Sequence, residues 1–209
     1  MKTKFESARV IPILIFENAD VAVGTAGALI EGGLEVLEVT LRTDASWGAL
    51  EMIIEQFPNA LTGVGTVFDI HQMKRASDLG AAFAMSPGLD PHLVECARAL
   101  GLYYLPGVTT PSEVMRARDL DLDAMKFFPA VAAGGPAVLQ GFASPFPDIS
   151  FCPTGGINAD NAASYLALDN VFCVGGSWMA TSEDMRAGDW QGITDKATTA
   201  RGLSVSSGG

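Results

Sequence analysis

Lys126 stands in the run DAMKFFPA, residues 123–130, inside what otherwise reads as an apolar strand. Lysine is almost never fully buried without a partner. Glu38 holds a similar place in LEVLEVT, residues 34–40. Strand side chains alternate faces with period two. That puts Val36, Glu38 and Thr40 on one face, with Leu37 and Val39 on the other. Likewise Ala124, Lys126 and Phe128 share a face opposite Met125 and Phe127. If the more apolar faces pack on helices, Glu38 and Lys126 point into a common interior. Two readings of Lys126 then stand side by side. One is a structural ion pair with Glu38, although buried pairs are often no more stabilising than an apolar replacement. The other is an amine nucleophile. Desolvation among Met125, Phe127 and Phe128 disfavours an ammonium and frees the lone pair, and a neutral amine condenses with a ketone or aldehyde to a Schiff base. Glu38 is correspondingly a counter-ion or the general acid/base that such chemistry needs.

Other candidates cluster at strand ends. Arg42 lies two residues past its strand, suited to capturing a carboxylate in bidentate fashion or simply exposed at the start of a helix. Thr66, after the space-giving Gly65, offers a hydroxyl to a substrate oxygen or is an ordinary β-branched strand residue. Ser86-Pro87 ends a further strand. Thr154-Gly155-Gly156 and Gly175-Gly176-Ser177 end the last two. Bare backbone N–H groups at these two ends commonly form a phosphate site in a barrel. Gly32-Gly33 and Gly134-Gly135 read instead as a helix cap and a turn.

These positions acquire meaning from the elements that carry them. Eight apolar runs, VIPILIF, LEVLEVT, LTGVGTV, AFAMSP, LYYLPGV, AMKFFP, ISFCPTGG and VFCVGGS, end near residues 16, 40, 66, 87, 107, 128, 154 and 175. Amphipathic segments separate them. Asp69 and Asp90 are placed to start helices, and Gly32, Gly80 and Gly101 to close them. Repeated strand–helix units predict parallel strands with crossover helices. The even spacing predicts an α/β fold, a (βα)8 TIM barrel forming a single domain over residues 1–209, with a short helical extension ahead of the first strand. An open doubly wound sheet is the alternative. In a barrel the chemistry sits at the C-terminal ends of the strands, where the candidates above fall.

Composition narrows the partners. Hydrophobic residues are 48% of the chain and the formal net charge is −11, which argues against nucleic acid and anionic membrane. Cys96, Cys152 and Cys173 form no CxxC pair and read as reduced thiols of a cytoplasmic protein. MKTKFESARV lacks the apolar segment of a signal peptide, IPILIF is too short to span a bilayer, and the tail LSVSSGG reads as a frayed end. His71 and His92 fall in early helix turns and read as solvated; no His, Asp and Glu cluster has metal-ligand spacing.

Taken in order, EVTLRT, GVGTV, MSPGL, LPGVTT, MKFFPA, FCPTGGI and GGSWM resemble the 2-keto-3-deoxy-6-phosphogluconate aldolases, a family that includes 4-hydroxy-2-oxoglutarate aldolases. The resemblance runs in order from about the first strand to the eighth helix. It implies a homotrimeric class I lyase of the Entner–Doudoroff pathway, needing no metal or organic cofactor and acting on a phosphorylated 2-keto acid. Lys126 would be the Schiff-base lysine and Glu38 the proton shuttle. Arg42, Thr66 and Lys126 would line the pyruvate half of the site, and Thr154, Gly155, Gly156 and Ser177 would face the phosphate. Several members carry a basic residue just after the first strand, where this chain has Phe16 and Glu17. A phosphosugar isomerase using Glu38 as base, and a non-catalytic phosphate-binding barrel, are the alternatives to the aldolase.

Overall fold

The computed structural model describes residues 1–203, so all of the tail beyond Leu203 lies outside the described residues. Helix α1 (Lys2–Ala8) precedes strand β1 (Val10–Leu14). Strands β2 (Val36–Thr40), β3 (Leu61–Gly65), β4 (Phe83–Met85), β5 (Tyr103–Leu105), β6 (Gly107–Val108), β7 (Ala124–Phe127), β8 (Ser150–Pro153) and β9 (Val174–Gly176) follow. The main crossovers are helices α2 (Ala22–Glu31), α3 (Ser46–Gln56), α4 (Ile70–Asp78), α5 (Pro91–Leu100), α6 (Pro111–Asp119), α7 (Pro136–Ala143) and α8 (Ala162–Leu166). Helices α9 (Ser182–Ala187) and α10 (Trp190–Arg201) close the described chain. Their starts follow side-chain chemistry. Asp69 accepts the N–H groups of His71 and Gln72, and Asp90 accepts that of His92. His71 and His92 are exposed, as expected.

The architecture is α/β with a curled parallel sheet. Six strands pair in the order β5-β4-β3-β2-β1-β9, and three more in the order β6-β7-β8. Every expected strand is present, ending within two residues of its sequence-read position. The continuous eight-stranded ladder expected from the spacing is not seen. The fifth strand is broken into β5 and β6 at Pro106, which has no N–H to give a ladder. Immediately after it, Gly107 passes so close to the Pro87 carbonyl that a Cβ would overlap it. Isolated parallel bridges, Phe151 with Val171 and Thr154 with Gly175, link β8 toward β9. The Lys126 N–H donates to the Pro106 carbonyl at 2.9 Å.

Alternation along the strands makes two apolar regions. Leu14, Leu37, Val39, Met125 and Phe127 face the helices. Ile11, Ile13, Val36, Phe83, Met85, Ala124, Cys152 and Cys173 face the interior. Helix α1 delivers Phe5 to the N-terminal ends of the strands, where its ring meets Phe83 edge-on at 4.9 Å and lies 5.6 Å from Tyr103. The interior is therefore filled from below, and open chemistry is confined to the other end.

Candidate active site

Lys126 lies on β7 and Glu38 on β2, both turned inward as the alternation requires. The lysine Nζ donates to Glu38 Oε1 at 3.0 Å. Lys126 is 3% exposed and Glu38 not at all. Glu38 Oε2 is buried and has no hydrogen-bond partner among the described residues. A carboxylate seated there accounts for Gly65, the neighbouring strand's contribution. A Cβ at Gly65 would overlap Glu38 Oε1 itself. Of the three apolar neighbours expected to desolvate Lys126, only Phe128 shares its face, with its ring centroid 5.6 Å from Nζ. Met125 and Phe127 belong to the outer core.

Removing two charges from water costs several kcal/mol per ion. A single ion contact with one carboxylate oxygen unpartnered is a poor return in stability. Stability alone therefore explains the pair poorly.

One inward layer above Lys126 lie Phe128, its own strand neighbour, and Thr154, two residues beyond its β8 register partner Cys152. Both line a cleft of about 200 Å³. Arg42, Gly155, Gly156, Gly175, Gly176 and Ser177 also line it, so the structure gathers most of the sequence-read candidates around one opening. Gly155 and Gly156 take left-handed φ of 104° and 79°, a conformation glycine tolerates without strain. The N–H groups of Gly156 and Ser177 donate to no protein acceptor among the described residues, leaving them directed to a ligand or solvent.

Arg42 is exposed and donates from Nε to Thr66 Oγ1 at 3.1 Å. It has no carboxylate partner within 4 Å among the described residues. Thr66 is not an ordinary strand residue. It follows β3 with a φ of 64°, which costs a β-branched residue about 1–3 kcal/mol. Pro87 is not among the residues lining this cleft; its carbonyl lies against Gly107, while the preceding Ser86 hydroxyl contacts Tyr104 at 2.5 Å.

Sequence reasoning missed the supports. Thr43 Oγ1 donates to the Phe16 carbonyl, and Ser46 Oγ donates to the Thr40 carbonyl at 2.7 Å. Together they fix the turn that carries Arg42. It also missed Ile13 and Ile15 as cleft walls, although the row Ile11, Ile13, Ile15, Glu17 follows period two. Phe16, on the other parity, is fully buried in the outer core, so of the two unusual residues after β1 only Glu17 is exposed. Among the described residues no group of His, Cys, Asp and Glu could hold a metal ion, and no helix is long and apolar enough to cross a membrane.

The chain matches the family model described as KDPG and KHG aldolase over residues 1–196. It is 43% identical to the 2-dehydro-3-deoxy-phosphogluconate aldolase of Pseudoalteromonas atlantica, covering 94% of this chain and 91% of that protein. It is also 43% identical to the KHG/KDPG aldolase of Escherichia coli K12, covering 91% and 90%. Among solved structures, the KDPG aldolase of Legionella pneumophila, with pyruvate captured as a covalent carbinolamine intermediate, superposes with a TM-score of 0.92 at 41% identity. That match covers 94% of this chain and 96% of the other.

Proposed function

The chain belongs to the KDPG and KHG aldolase family, and from that membership we propose how its site residues divide the reaction. The enzyme is a class I lyase that cleaves 2-keto-3-deoxy-6-phosphogluconate to pyruvate and glyceraldehyde 3-phosphate. The observation that carries the assignment of roles is the buried Lys126–Glu38 pair with one carboxylate oxygen unpartnered beneath the cleft.

Arg42 holds the 2-keto acid carboxylate, with Thr66 orienting the guanidinium. Lys126 Nζ adds to the C2 carbonyl carbon, and Glu38 passes protons so that water leaves and the imine forms. The iminium accepts the electron pair of the C3–C4 bond as Glu38 takes the proton of the C4 hydroxyl. Glyceraldehyde 3-phosphate departs. The enamine takes a proton at C3, and water releases pyruvate and the free amine. Thr154, both glycine pairs and Ser177 hold the phosphate, the free N–H groups of Gly156 and Ser177 supplying donors in a strongly acidic protein.

We also infer that the two sheets complete a (βα)8 barrel as one domain over residues 1–209. The two isolated bridges and the Lys126–Pro106 hydrogen bond support that reading. A cytoplasmic homotrimer follows from the family likeness; sedimentation in solution checks the assembly.

The phosphate assignment is tested by comparing kcat/KM for the phosphorylated six-carbon substrate with that for 4-hydroxy-2-oxoglutarate, which we include as a second substrate. Remote phosphate binding favours the former, since it positions the reacting carbons. A Gly156→Val substitution, at φ 79° and against Val131, should erode the preference. Equal values in the unmodified enzyme would reduce the glycine pairs to turns.

A further inference from the structure

The turn between β2 and α3 carries more hydroxyl chemistry than a connection needs. Ser46 opens α3, close to where a serine hydroxyl would serve as a helix cap. Yet α3 starts with no side-chain cap. Ser46 Oγ turns back instead and donates to the Thr40 carbonyl at 2.7 Å, six residues upstream. The same carbonyl accepts the N–H of Arg42 at 2.9 Å. Ser46 is wholly buried, so its hydroxyl has left water to reach an oxygen that Arg42 already uses.

Counting protons sets the direction of the network. Each hydroxyl has one hydrogen to give. That of Thr43 goes to the Phe16 carbonyl and that of Ser46 to the Thr40 carbonyl. Ser46 Oγ is then left to accept the Thr43 N–H, at 3.3 Å, and that N–H has no other acceptor among the described residues. Thr40 Oγ1, also wholly buried, donates to the Leu14 carbonyl at 2.9 Å. The chain on both sides of Arg42 is thereby tied. Thr40 and Thr43 are held to the end of β1, and the Leu41 N–H donates to the Gly65 carbonyl at 2.9 Å. Beyond this frame the Arg42 side chain is exposed, with one side-chain hydrogen bond among the described residues, to Thr66 Oγ1. A long side chain so lightly engaged takes its position from the backbone that carries it.

We propose that Ser46 and Thr43 are positioning residues for substrate capture: they hold Arg42 where its guanidinium meets the 2-keto acid carboxylate, and themselves touch neither the substrate nor the reacting carbons. The inference rests on the aldolase reading above, with Arg42 as the carboxylate partner. Bidentate capture is demanding in geometry, and a reactant held for a covalent step tolerates little displacement. Without Ser46 Oγ the Thr43 N–H loses its acceptor, and the Thr40 carbonyl keeps only the Arg42 N–H. The turn then loosens at Arg42, while Lys126 and Glu38 stay fixed on their strands below. The consequence is specific. Capture of the carboxylate weakens, and imine formation from the captured keto acid does not.

The test is a double-mutant cycle on pyruvate capture. Pyruvate is varied in the presence of borohydride, and the half-saturating concentration and maximal rate of trapping are measured for the unmodified enzyme, Ser46→Ala, Arg42→Gln and the double variant. Ser46→Ala should raise the half-saturating concentration about tenfold, the order set by one hydrogen bond, and leave the maximal rate unchanged. Arg42→Gln should raise it further. Adding Ser46→Ala to Arg42→Gln should change nothing more, because the group being positioned is gone. Thr43→Val keeps the side-chain shape without the hydroxyl and should repeat the pattern; it decides the matter if Ser46→Ala fails to fold. Half-saturation unchanged in both variants overturns the proposal. So does a rise of equal size with and without Arg42, which would make the hydroxyls general struts of the fold, or a fall in maximal rate alone. The same data separate the levels. No adduct in the unmodified enzyme removes the aldolase reading, and this inference with it. An adduct whose half-saturation ignores Arg42→Gln removes the carboxylate assignment and its positioning. An adduct that depends on Arg42, but not on Ser46 or Thr43, removes this inference alone.

Discussion

At the N-terminal ends of the strands, Phe5 fills the interior against Phe83, Tyr103 and Phe172. At the C-terminal ends the same inward alternation delivers Lys126 and Glu38 beneath an open cleft. The lower end excludes water by aromatic packing, and its loss is a loss of stability. The upper end places a charged pair out of water, which stability alone explains poorly, and on the roles proposed above its loss is a loss of chemistry. Polar groups show the same contrast. Tyr103 leaves its hydroxyl buried without a partner among the described residues, and Glu38 leaves Oε2 so. The first orphan is a cost incurred by packing. The second, on the roles proposed above, is the acceptor for a substrate proton.

The largest expected effect is at the upper end. Lys126→Arg should abolish cleavage while the protein folds, because a guanidinium stays charged and forms no imine; thermal melting and a coupled pyruvate assay read the two halves separately. Next, Glu38→Gln should slow turnover by about 10²–10⁴-fold with the fold retained. Should Glu38→Gln unfold the protein or leave turnover unchanged, the contrast between the ends collapses, since Glu38 would then be a fastener or a bystander.

The lower end should respond in the opposite sense. Phe5→Ala should cost about 3–5 kcal/mol in chemical denaturation, with the folded fraction still trapping pyruvate. Loss of trapping at full folding would mean that the two ends are coupled. The smallest effect is at Tyr103. Burial, with neighbouring acidic groups including Cys173 and Asp123 adding to it, pushes this phenol well above its usual value. Its neutral form is thus favoured by folding. That contribution is complete below the unfolded-state value of about 10 and is lost as pH rises toward the higher folded value. Tyr103→Phe should flatten this alkaline loss and, by removing an unpartnered hydroxyl, raise neutral-pH stability by about 1 kcal/mol. Tyr104, pushed up to about 12 by burial against the opposing pull of Ser86, should leave a weaker alkaline dependence in that variant.

The two ends were unequally legible in the amino-acid sequence. Period-two alternation places Lys126 and Glu38 in one interior because a single charged residue in an apolar run has only one face to choose. The glycine pairs and Arg42 follow from strand ends. The split at Pro106 was visible as a proline, yet its consequence depends on how Gly107 meets Pro87, a contact between residues 20 apart. Thr66's left-handed backbone leaves no mark in composition. Phe5 reads as part of a polar leader, and only the tertiary fold shows that α1 turns it under the strands. Thr43 was silent for the same reason: its contact with Phe16 exists only after the ends of β1 and β2 are brought together.

The central claim is that the buried amine of Lys126 is the nucleophile. Incubation with pyruvate and borohydride, followed by intact mass and peptide mapping, tests it most directly. The expected result is one pyruvate adduct per chain, on Lys126, and none in Lys126→Arg. An unmodified chain, as an isomerase or a binding barrel would give, or an adduct on Lys74 or Lys196, would contradict it.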